Sequence, residues 1–327
     1  MPSVVNVAIH ASQFPENVRS DLLASLRTRQ VNHKFHYDSV KQTQKWLALH
    51  QIYSPTRNDA DCLAAYENGF AAATSQIQSP HVNVIGLGCG GGQKDTRLLR
   101  QLTAAGHTVS YAACDVAVAM VLVARQTALA VVPPDQCFPL VFDLAAADDL
   151  PAVLDQTLAP EAARLITFFG MIPNFEPEVI LPRLASLIRP ADVLLFSANL
   201  APGPDYTAGV RQILPQYDNA PTREWLLTFL FDLGVERGDG ELRFTIETDP
   251  VSGLQRVVGM FHFTRSCRIE IESDTFDFAA GSALRLFFSY RYTPGRVRAA
   301  LVSHGLIVRE QWITRSEEEG VFLCQKK

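Results

Sequence analysis

Gly86-Leu87-Gly88-Cys89-Gly90-Gly91-Gly92 separates a short apolar segment, residues 82–87, from a segment with the leucine spacing of a helix, residues 95–105. Backbone that lacks Cβ atoms at the end of a strand lets a ligand approach the chain closely. A glycine-rich turn in this position is typical of an α/β fold that binds an adenosine-containing cofactor. Gly86, Gly88 and Gly91 also satisfy G-x-G-x-x-G, so the turn alone does not separate one such cofactor from another.

The chain around this turn alternates between strand and helix patterns. Repeated alternation of this kind predicts a parallel sheet with helices on both faces, a Rossmann-like α/β core. The predicted strands are residues 82–87, 109–114, 138–142, 165–169 and 192–197, and the predicted helices are residues 95–105, 117–130 and 178–188.

The pattern changes after residue 204. Residues 205–231 read as helical, and residues 241–247, 254–264 and 267–273 alternate as antiparallel strands do. A helix at 294–304 and strands at 306–313 and 321–325 follow. We therefore expect four segments: 1–60 as the N-terminal part of a substrate-binding cap, 61–204 as the core, 205–293 as an inserted α+β cap, and 294–327 as the completion of the core.

Two aspartates follow successive predicted strands. Asp115 ends the second strand, 27 residues after Gly88, and Asp143 ends the third. A carboxylate in the first position can accept hydrogen bonds from ribose hydroxyls, and one in the second from an adenine amino group. The alternative interpretation is that both aspartates only cap the helices that follow them.

Composition excludes several functions. The formal net charge is −5, with no basic tract, which argues against a nucleic-acid partner. The longest apolar run, residues 117–124, is too short to span a membrane, and no signal-peptide pattern is present, so we expect a cytoplasmic protein. Six scattered cysteines without a C-x-x-C pair, and His33 and His36 without an acidic partner, predict no metal site.

Several motifs together resemble the histidine-specific methyltransferase family, whose best-known member trimethylates the α-amine of histidine in ergothioneine synthesis. Fungal tryptophan-derivative N-methyltransferases are similar relatives. The motifs occur in the family's order and spacing along nearly the whole chain. They are Lys34-Phe35-His36-Tyr37-Asp38, Tyr53-Ser54-Pro55-Thr56-Arg57, the loop from Gly86 to Lys94, Gly170-Met171-Ile172-Pro173-Asn174-Phe175, Gln216-Tyr217-Asp218, and Phe288-Ser289-Tyr290-Arg291-Tyr292-Thr293-Pro294.

The resemblance implies a class I methyltransferase that uses S-adenosyl-L-methionine (SAM). Its implied cofactor residues are Gly86, Gly88, Gly90, Lys94, Asp115, Asp143 and Gly170. Its implied substrate residues are Tyr53, Asn174 and Tyr217, the last two for an amino-acid carboxylate, and Ser289 for the side chain. By the same resemblance Tyr37 lies near the reacting amine. We expect Tyr37 to orient that amine and Asp218 to take its proton.

Two positions depart from the family pattern. Ser54 replaces a tyrosine, and Phe287 replaces the glutamate that grips imidazole. A pocket without that carboxylate is expected to bind histidine poorly, because a buried imidazole N–H would lose its partner. We therefore expect a small-molecule amine acceptor other than histidine, with Phe287 in an apolar substrate pocket. The alternatives are an NAD-dependent oxidoreductase and a catalytically silent SAM-binding protein.

Overall fold

The computed structural model describes residues 4–327, which contain thirteen strands and eleven α-helices. In chain order they are β1 Ala8–Ile9, α1 Pro15–Thr28, α2 Val40–Tyr53, α3 Pro55–Asn58, α4 Ala60–Gln76, β2 His81–Leu87, α5 Gln93–Ala104, β3 Thr108–Asp115, α6 Val118–Ala128, β4 Leu140–Val141, α7 Leu150–Thr157, β5 Ala163–Phe168, α8 Pro177–Leu187, β6 Val193–Asn199, α9 Tyr206–Ile213, α10 Ala220–Asp232, β7 Gly240–Thr248, β8 Gln255–Phe263, β9 Cys267–Ile271, β10 Asp274–Phe278, β11 Ala283–Arg291, α11 Pro294–Ser303, β12 Leu306–Ile313 and β13 Glu319–Lys326.

Eight strands form the central sheet in the order β1-β4-β3-β2-β5-β6-β13-β12. The first six are parallel, and β13 runs antiparallel to both of its neighbours. Strands β2, β5 and β6 are almost continuously buried, as expected for parallel strands covered by helices on both faces. The predicted Rossmann-like core is confirmed, and an antiparallel pair of strands, β13 and β12, closes the sheet at the β6 edge.

Two expectations for the core were wrong in detail. In the predicted strand 138–142 only Leu140–Val141 has strand geometry, although the Phe138 and Phe142 N–H groups still donate to the β3 backbone. The N-terminal segment does not belong to the cap alone, because β1 pairs with β4 at the sheet edge. This pairing brings the short turn after β1 to the carboxyl end of β4. Helix α7 was not predicted.

The remaining strands lie outside the core sheet. Strands β7, β8 and β11 form one antiparallel sheet, and β9 and β10 form a hairpin. A separate hydrophobic cluster holds this block together with α1, α2 and α10, and includes Leu26, Phe35, Trp225, Phe229 and Phe287. We call this assembly the cap. Within residues 4–327, none of the helices combines the length and apolarity that a membrane crossing requires.

Candidate active site

A cavity of about 640 Å³ lies where the carboxyl ends of the core strands meet the cap. Core strands contribute residues at their ends, including Leu87, Asp115 and Asn199. The cap contributes residues from α2, from β11 and from the one-turn 3-10 helix His33–His36. The carboxyl edge of a parallel sheet is where α/β proteins place their ligands. The cavity is therefore the candidate site, and both halves of the chain build it.

The glycine turn forms the floor of the cavity, and two of its glycines are required by geometry. Gly88 has φ +65° and Gly90 has φ +50°, values that residues with a Cβ atom rarely adopt. A Cβ at Gly88 would lie 2.5 Å from the sulfur of Met171, and one at Gly90 would lie 2.9 Å from the Trp46 ring. Both glycines therefore line the cavity without a Cβ atom, because the Met171 and Trp46 side chains fill the space that one would need.

Gly86 does not line the cavity, contrary to its predicted cofactor contact. A Cβ at Gly86 would lie 2.3 Å from Oδ2 of Asp95. The Asp95 carboxylate is buried there and accepts hydrogen bonds from the Tyr111 hydroxyl (2.6 Å) and the Thr167 hydroxyl (2.8 Å). Gly86 is therefore needed because a buried carboxylate lies against the strand, and the sequence pattern alone did not reveal this neighbour.

Asp115 lies at the end of β3 with both carboxylate oxygens fixed. Oδ2 accepts the Gly90 N–H at 3.1 Å, and Oδ1 accepts the Ala117 N–H at 3.3 Å. Burial raises the pKa of this carboxyl from 3.8 to about 6, against the lowering effect of the backbone donors. Each oxygen keeps a free acceptor site. Asp115 can therefore bind the backbone N–H groups beside it and a ligand in the cavity at the same time.

Asp143 follows β4 and is only 6% exposed. Its N–H donates to the Ser12 hydroxyl at 2.9 Å, and its Oδ1 accepts the Ala145 N–H at 2.9 Å. Its Oδ2 lies 3.7 Å from Nζ of Lys34, which reaches it from the cap. Burial raises the pKa of this carboxyl, and the Lys34 ammonium opposes the rise. Asp143 lines the cavity at its own end of the sheet edge.

Lys94 supplies positive charge to the cavity. Its ammonium donates to the Tyr66 hydroxyl at 2.8 Å and lies 4.2 Å from the centroid of that ring. Within residues 4–327 it forms no direct ion pair. Burial lowers its pKa, whereas the charge of Glu319, whose carboxylate accepts the Tyr66 hydroxyl at 2.5 Å, opposes this change. An ammonium that is buried without a direct ion pair gains from a negative charge that a ligand supplies. Lys94 and Asp115 therefore present opposite charges to the same cavity, as the two ends of an amino-acid nucleoside require.

Tyr37 lies in an aromatic wall of the cavity that reaches the glycine turn through Trp46. Its ring centroid is 4.9 Å from that of His33, 5.5 Å from Trp225 and 5.9 Å from Trp46. Burial, with a smaller contribution from Asp115, raises the pKa of the phenol. Burial also lowers the pKa of His33 to about 3. Both side chains are therefore neutral near pH 7.

Asn174 also lines the cavity, just beyond the carboxyl end of β5. Its amide nitrogen lies 3.4 Å from Nε2 of His33, a long contact that links the core to the cap. Gly170 lines the cavity in the same turn, and its N–H donates to Ser197 at 2.9 Å. The turn after β5 thus brings two sequence-predicted residues to the cavity wall.

Tyr217, Ser289 and Arg291 form a polar chain in one corner. The Tyr217 hydroxyl is 2.7 Å from the Ser289 hydroxyl and accepts an N–H of Arg291 at 2.6 Å. A guanidinium only donates, so whichever hydroxyl donates to the other, one O–H proton remains for the cavity. Arg291 is buried, and within residues 4–327 it pairs with no carboxylate. The corner therefore offers a hydrogen-bond donor backed by positive charge.

Beside this corner the cavity wall is apolar. Phe287 is 7% exposed, and its ring lies 5.7 Å from Tyr217 and 6.1 Å from Trp225. The position at which the sequence comparison expected a glutamate thus faces the cavity with a phenyl ring.

Tyr53 and Asp218 do not reach the cavity, contrary to expectation. Tyr53 is 51% exposed on α2, whereas Ser54, the next residue, is buried and lines the cavity. Trp46, His50 and Ser54 are spaced by four residues and share one helical face, so Tyr53 points away from them. Asp218 makes a surface ion pair with Arg223 (2.6 Å) and is unavailable as the predicted proton acceptor.

Several cavity residues escaped the sequence reasoning, among them His33, Trp46 and His50. At the level of sequence, His33 and His36 were weighed as metal ligands. His36 is a packing residue: it is buried, and its Nε2 donates to the Leu286 carbonyl at 2.5 Å. The four-residue spacing of Trp46, His50 and Ser54 was the available signal. Within residues 4–327 no group of three side chains is arranged to hold a metal ion.

A chain-wide sequence comparison agrees with this architecture. Residues 18–326 match the model of a family described as "Histidine-specific methyltransferase, SAM-dependent". The curated N-methyltransferase imqF of Aspergillus flavus is 24% identical over 277 residues, covering 83% of this chain and 73% of that protein.

Solved structures with similar folds are much more distant in sequence. Magnesium protoporphyrin IX methyltransferase (ChlM) from Synechocystis PCC 6803, with bound S-adenosylhomocysteine (SAH), has a TM-score of 0.48 at 13% identity, over 89% of this chain and 97% of that one. The 1,6-didemethyltoxoflavin-N1-methyltransferase of Burkholderia thailandensis gives 0.43 at 12% identity, over 100% and 94%.

The fold seen in the structure and the family match agree with each other. The match extends over nearly all of the chain, and the core is the parallel α/β sheet that the resemblance implies. The expected cofactor and enzyme class are confirmed, which removes the oxidoreductase alternative. The chain belongs to the histidine-specific, SAM-dependent methyltransferase family.

Proposed function

We propose that this methyltransferase transfers a methyl group to the amine nitrogen of a small amino acid, or a close relative, whose side chain is apolar or aromatic. The observation that carries the proposal is one cavity that joins the Lys94 and Asp115 end to the apolar wall at Phe287. The similarity to an N-methyltransferase supports nitrogen as the acceptor atom.

The cofactor end has the chemistry that SAM requires. Gly88, Gly90 and Gly170 line this end of the cavity and bring backbone without Cβ atoms to it. Lys94 would pair with the amino-acid carboxylate and Asp115 would accept the ribose hydroxyls, each filling a valence left open within residues 4–327. Asp143 would accept the adenine amino group. The cofactor supplies an electrophilic methyl on a sulfonium.

The acceptor end would hold an amino acid by its carboxylate. The free O–H proton of the Tyr217 and Ser289 pair, with Arg291 behind it, suits a carboxylate oxygen, and Asn174 adds an amide. Phe287 and Trp225 would pack against an apolar or aromatic side chain. Histidine fits poorly, because its imidazole N–H finds no carboxylate at Phe287.

Tyr37 would orient the amine. The raised pKa keeps its phenol neutral, so its oxygen can accept an amine N–H without taking the proton. The neutral His33 beside it adds no positive charge that would oppose a cationic donor. The amine would react as the free base after its ammonium proton has passed to water, and the proton released on methyl transfer would leave the same way. Its alignment by the aromatic wall would supply much of the rate.

Two measurements test the proposal. Thermal unfolding is followed with SAH and with NAD, and we expect a rise in Tm with SAH only, because a ligand stabilises the state that binds it. The protein is then incubated with SAM and a panel of amino acids, each paired with its decarboxylated amine, and products are read by mass.

We expect methylated phenylalanine, tyrosine or tryptophan, and little methylated histidine. Stabilisation by NAD without SAH would reject the cofactor assignment. Efficient methylation of histidine, or of amines alone, would reject the acceptor assignment. SAH binding without any product would favour a silent SAM-binding protein.

A further inference from the structure

Lys34 is a buried cation between the cap and the core. Its side chain is 3% exposed, and Nζ lies 2.5 Å from Oδ2 of Asp21 and 3.7 Å from Oδ2 of Asp143. A lysine ammonium is rarely buried to this extent unless paired charges compensate for its lost hydration. Lys34 also lines the cavity, on the one-turn helix His33–His36 whose end leads to Tyr37. The burial of this ammonium at the cavity wall therefore suggests a role in the candidate active site.

The geometry at Asp143 shows which of its oxygens Lys34 affects. The backbone N–H donates to Ser12, and Oδ1 accepts the Ala145 N–H and keeps one acceptor site. Within residues 4–327, Oδ2 accepts no backbone N–H, and Lys34 is the cation beside it. Burial and the like charge of Asp21 both raise the pKa of Asp143, whereas Lys34 lowers it. Lys34 thus acts on the same oxygen that a ligand would contact.

We propose that Lys34 is a positioning residue of the cofactor site, which holds Asp143 as a carboxylate so that Oδ2 can accept the adenine amino group. The proposal rests on the placement of adenine at Asp143 under the proposed function. It assigns to the N-terminal segment a share in cofactor recognition, although Lys34 is three residues from the acceptor-side Tyr37. Loss of the ammonium should favour the protonated carboxyl, which donates a hydrogen bond instead of accepting one.

The protonation of Asp143 can be measured with a matched pair of ligands, SAH and S-inosylhomocysteine. The second ligand replaces the 6-amino donor of adenine with a carbonyl acceptor, gains a hydrogen on N1, and keeps the ribose and amino acid. An ionised Asp143 repels that carbonyl, whereas a protonated one can donate to it. The ratio of the two Kd values therefore reports the protonation state of Asp143. The ratio is also independent of the protonation of Asp115, because both ligands would contact Asp115 through the same ribose and both Kd values would change equally.

The experiment measures both Kd values by calorimetry at pH 6 and pH 8, for the wild type, Lys34→Met and Lys34→Arg. We expect the wild type to prefer SAH by at least about 50-fold at both pH values, since a site built around one hydrogen bond rejects the analogue strongly. In Lys34→Met, SAH binding should weaken at least about tenfold, and the preference should fall to within about fivefold at pH 6 and partly return at pH 8. Lys34→Arg keeps the charge and should keep most of the preference.

Asp21→Asn is the matched control. The charged groups near Asp143 and Lys34 are Asp21, Asp38 and, through Ser12, His10. Removing the Asp21 charge leaves Lys34 in place, so SAH binding at pH 5 should be at least as tight as in the wild type. This variant also decides the question if Lys34→Met does not fold, because weaker SAH binding at pH 5 would then overturn the proposal.

A purely structural role gives a different result. Lys34→Met would then weaken both ligands equally at both pH values, with the preference unchanged, and the proposal would be wrong. If the wild type binds neither ligand, the cofactor assignment itself fails. A wild type that binds SAH but does not prefer it over S-inosylhomocysteine would reject adenine recognition by Asp143 and leave the methyltransferase assignment intact.

Discussion

Asp115→Asn should separate cofactor binding from folding. In the wild type, the two carboxylate oxygens accept the N–H groups of Gly90 and Ala117, and each has an acceptor site left for a ribose hydroxyl. Asparagine has one oxygen, so its NH₂ must face one of the backbone donors. The variant loses one charge-assisted hydrogen bond and weakens the other, a total of about 3 kcal/mol, or roughly a 150-fold weaker Kd for SAH.

The unliganded variant should not lose stability in parallel. Folding raises the pKa of this carboxyl from 3.8 to about 6. Its favourable contribution to stability is therefore fully present below pH 3.8 and is lost as the pH rises through 6. At pH 8 the buried charge of Asp115 therefore costs about 3 kcal/mol. Asparagine carries no charge, and this relief opposes the strained hydrogen bond. We expect a free energy of unfolding at pH 8 equal to or above that of the wild type.

The same carboxyl predicts the pH dependence of wild-type binding. If SAH binds the ionised form, a pKa of about 6 makes the apparent Kd about tenfold weaker at pH 5 than at pH 8. Asp115→Asn should flatten this part of the profile. Calorimetry with SAH from pH 5 to 8, and urea unfolding without ligand, measure both effects. Asp135→Asn, at an exposed site, is the control.

Two results would refute this reasoning. An Asp115→Asn variant that binds SAH within about threefold of the wild type would remove Asp115 from the cofactor site. An unliganded variant destabilised by several kcal/mol would show that its weaker binding reflects a damaged fold.

Three further substitutions test other parts of the site. Lys94→Met should weaken SAH binding by about 10- to 100-fold, with partial recovery in Lys94→Arg, because a buried charge pair with the ligand is lost; calorimetry measures this. Tyr217→Phe should raise KM about tenfold for amino acids but little for their decarboxylated amines, since it removes one hydroxyl from the donor corner; matched-pair kinetics measure this. Phe287→Glu should destabilise the fold by about 2–4 kcal/mol and improve histidine binding relative to phenylalanine, as seen in urea unfolding and calorimetry with SAH present.

Each of these has an opposing outcome. Unchanged SAH affinity in Lys94→Met would show that Tyr66 alone satisfies the ammonium. Equal losses for acids and amines in Tyr217→Phe would point to packing rather than carboxylate recognition. A Phe287→Glu variant that folds but does not change the ratio of histidine to phenylalanine binding would remove position 287 from specificity.

Local sequence determined the cofactor half of the site. Strand and helix patterns predicted the core, and the glycine turn and the two aspartates lie at its strand ends as expected. These features can be predicted from the sequence because each depends on neighbours a few residues away. The departure at Phe287 was also readable, and the structure shows its ring facing the cavity.

Tertiary packing decided the rest. Whether Tyr53 or Ser54 faces the cavity depends on where α2 packs, and the need for glycine at position 86 depends on the Asp95 carboxylate below it. The approach of Lys34 to Asp143 joins residues that are far apart in the chain. Sequence periodicity fixes which side chains share a face of one element. The free energy of burying that face against another element fixes which charges and rings then meet, and that depends on the whole fold.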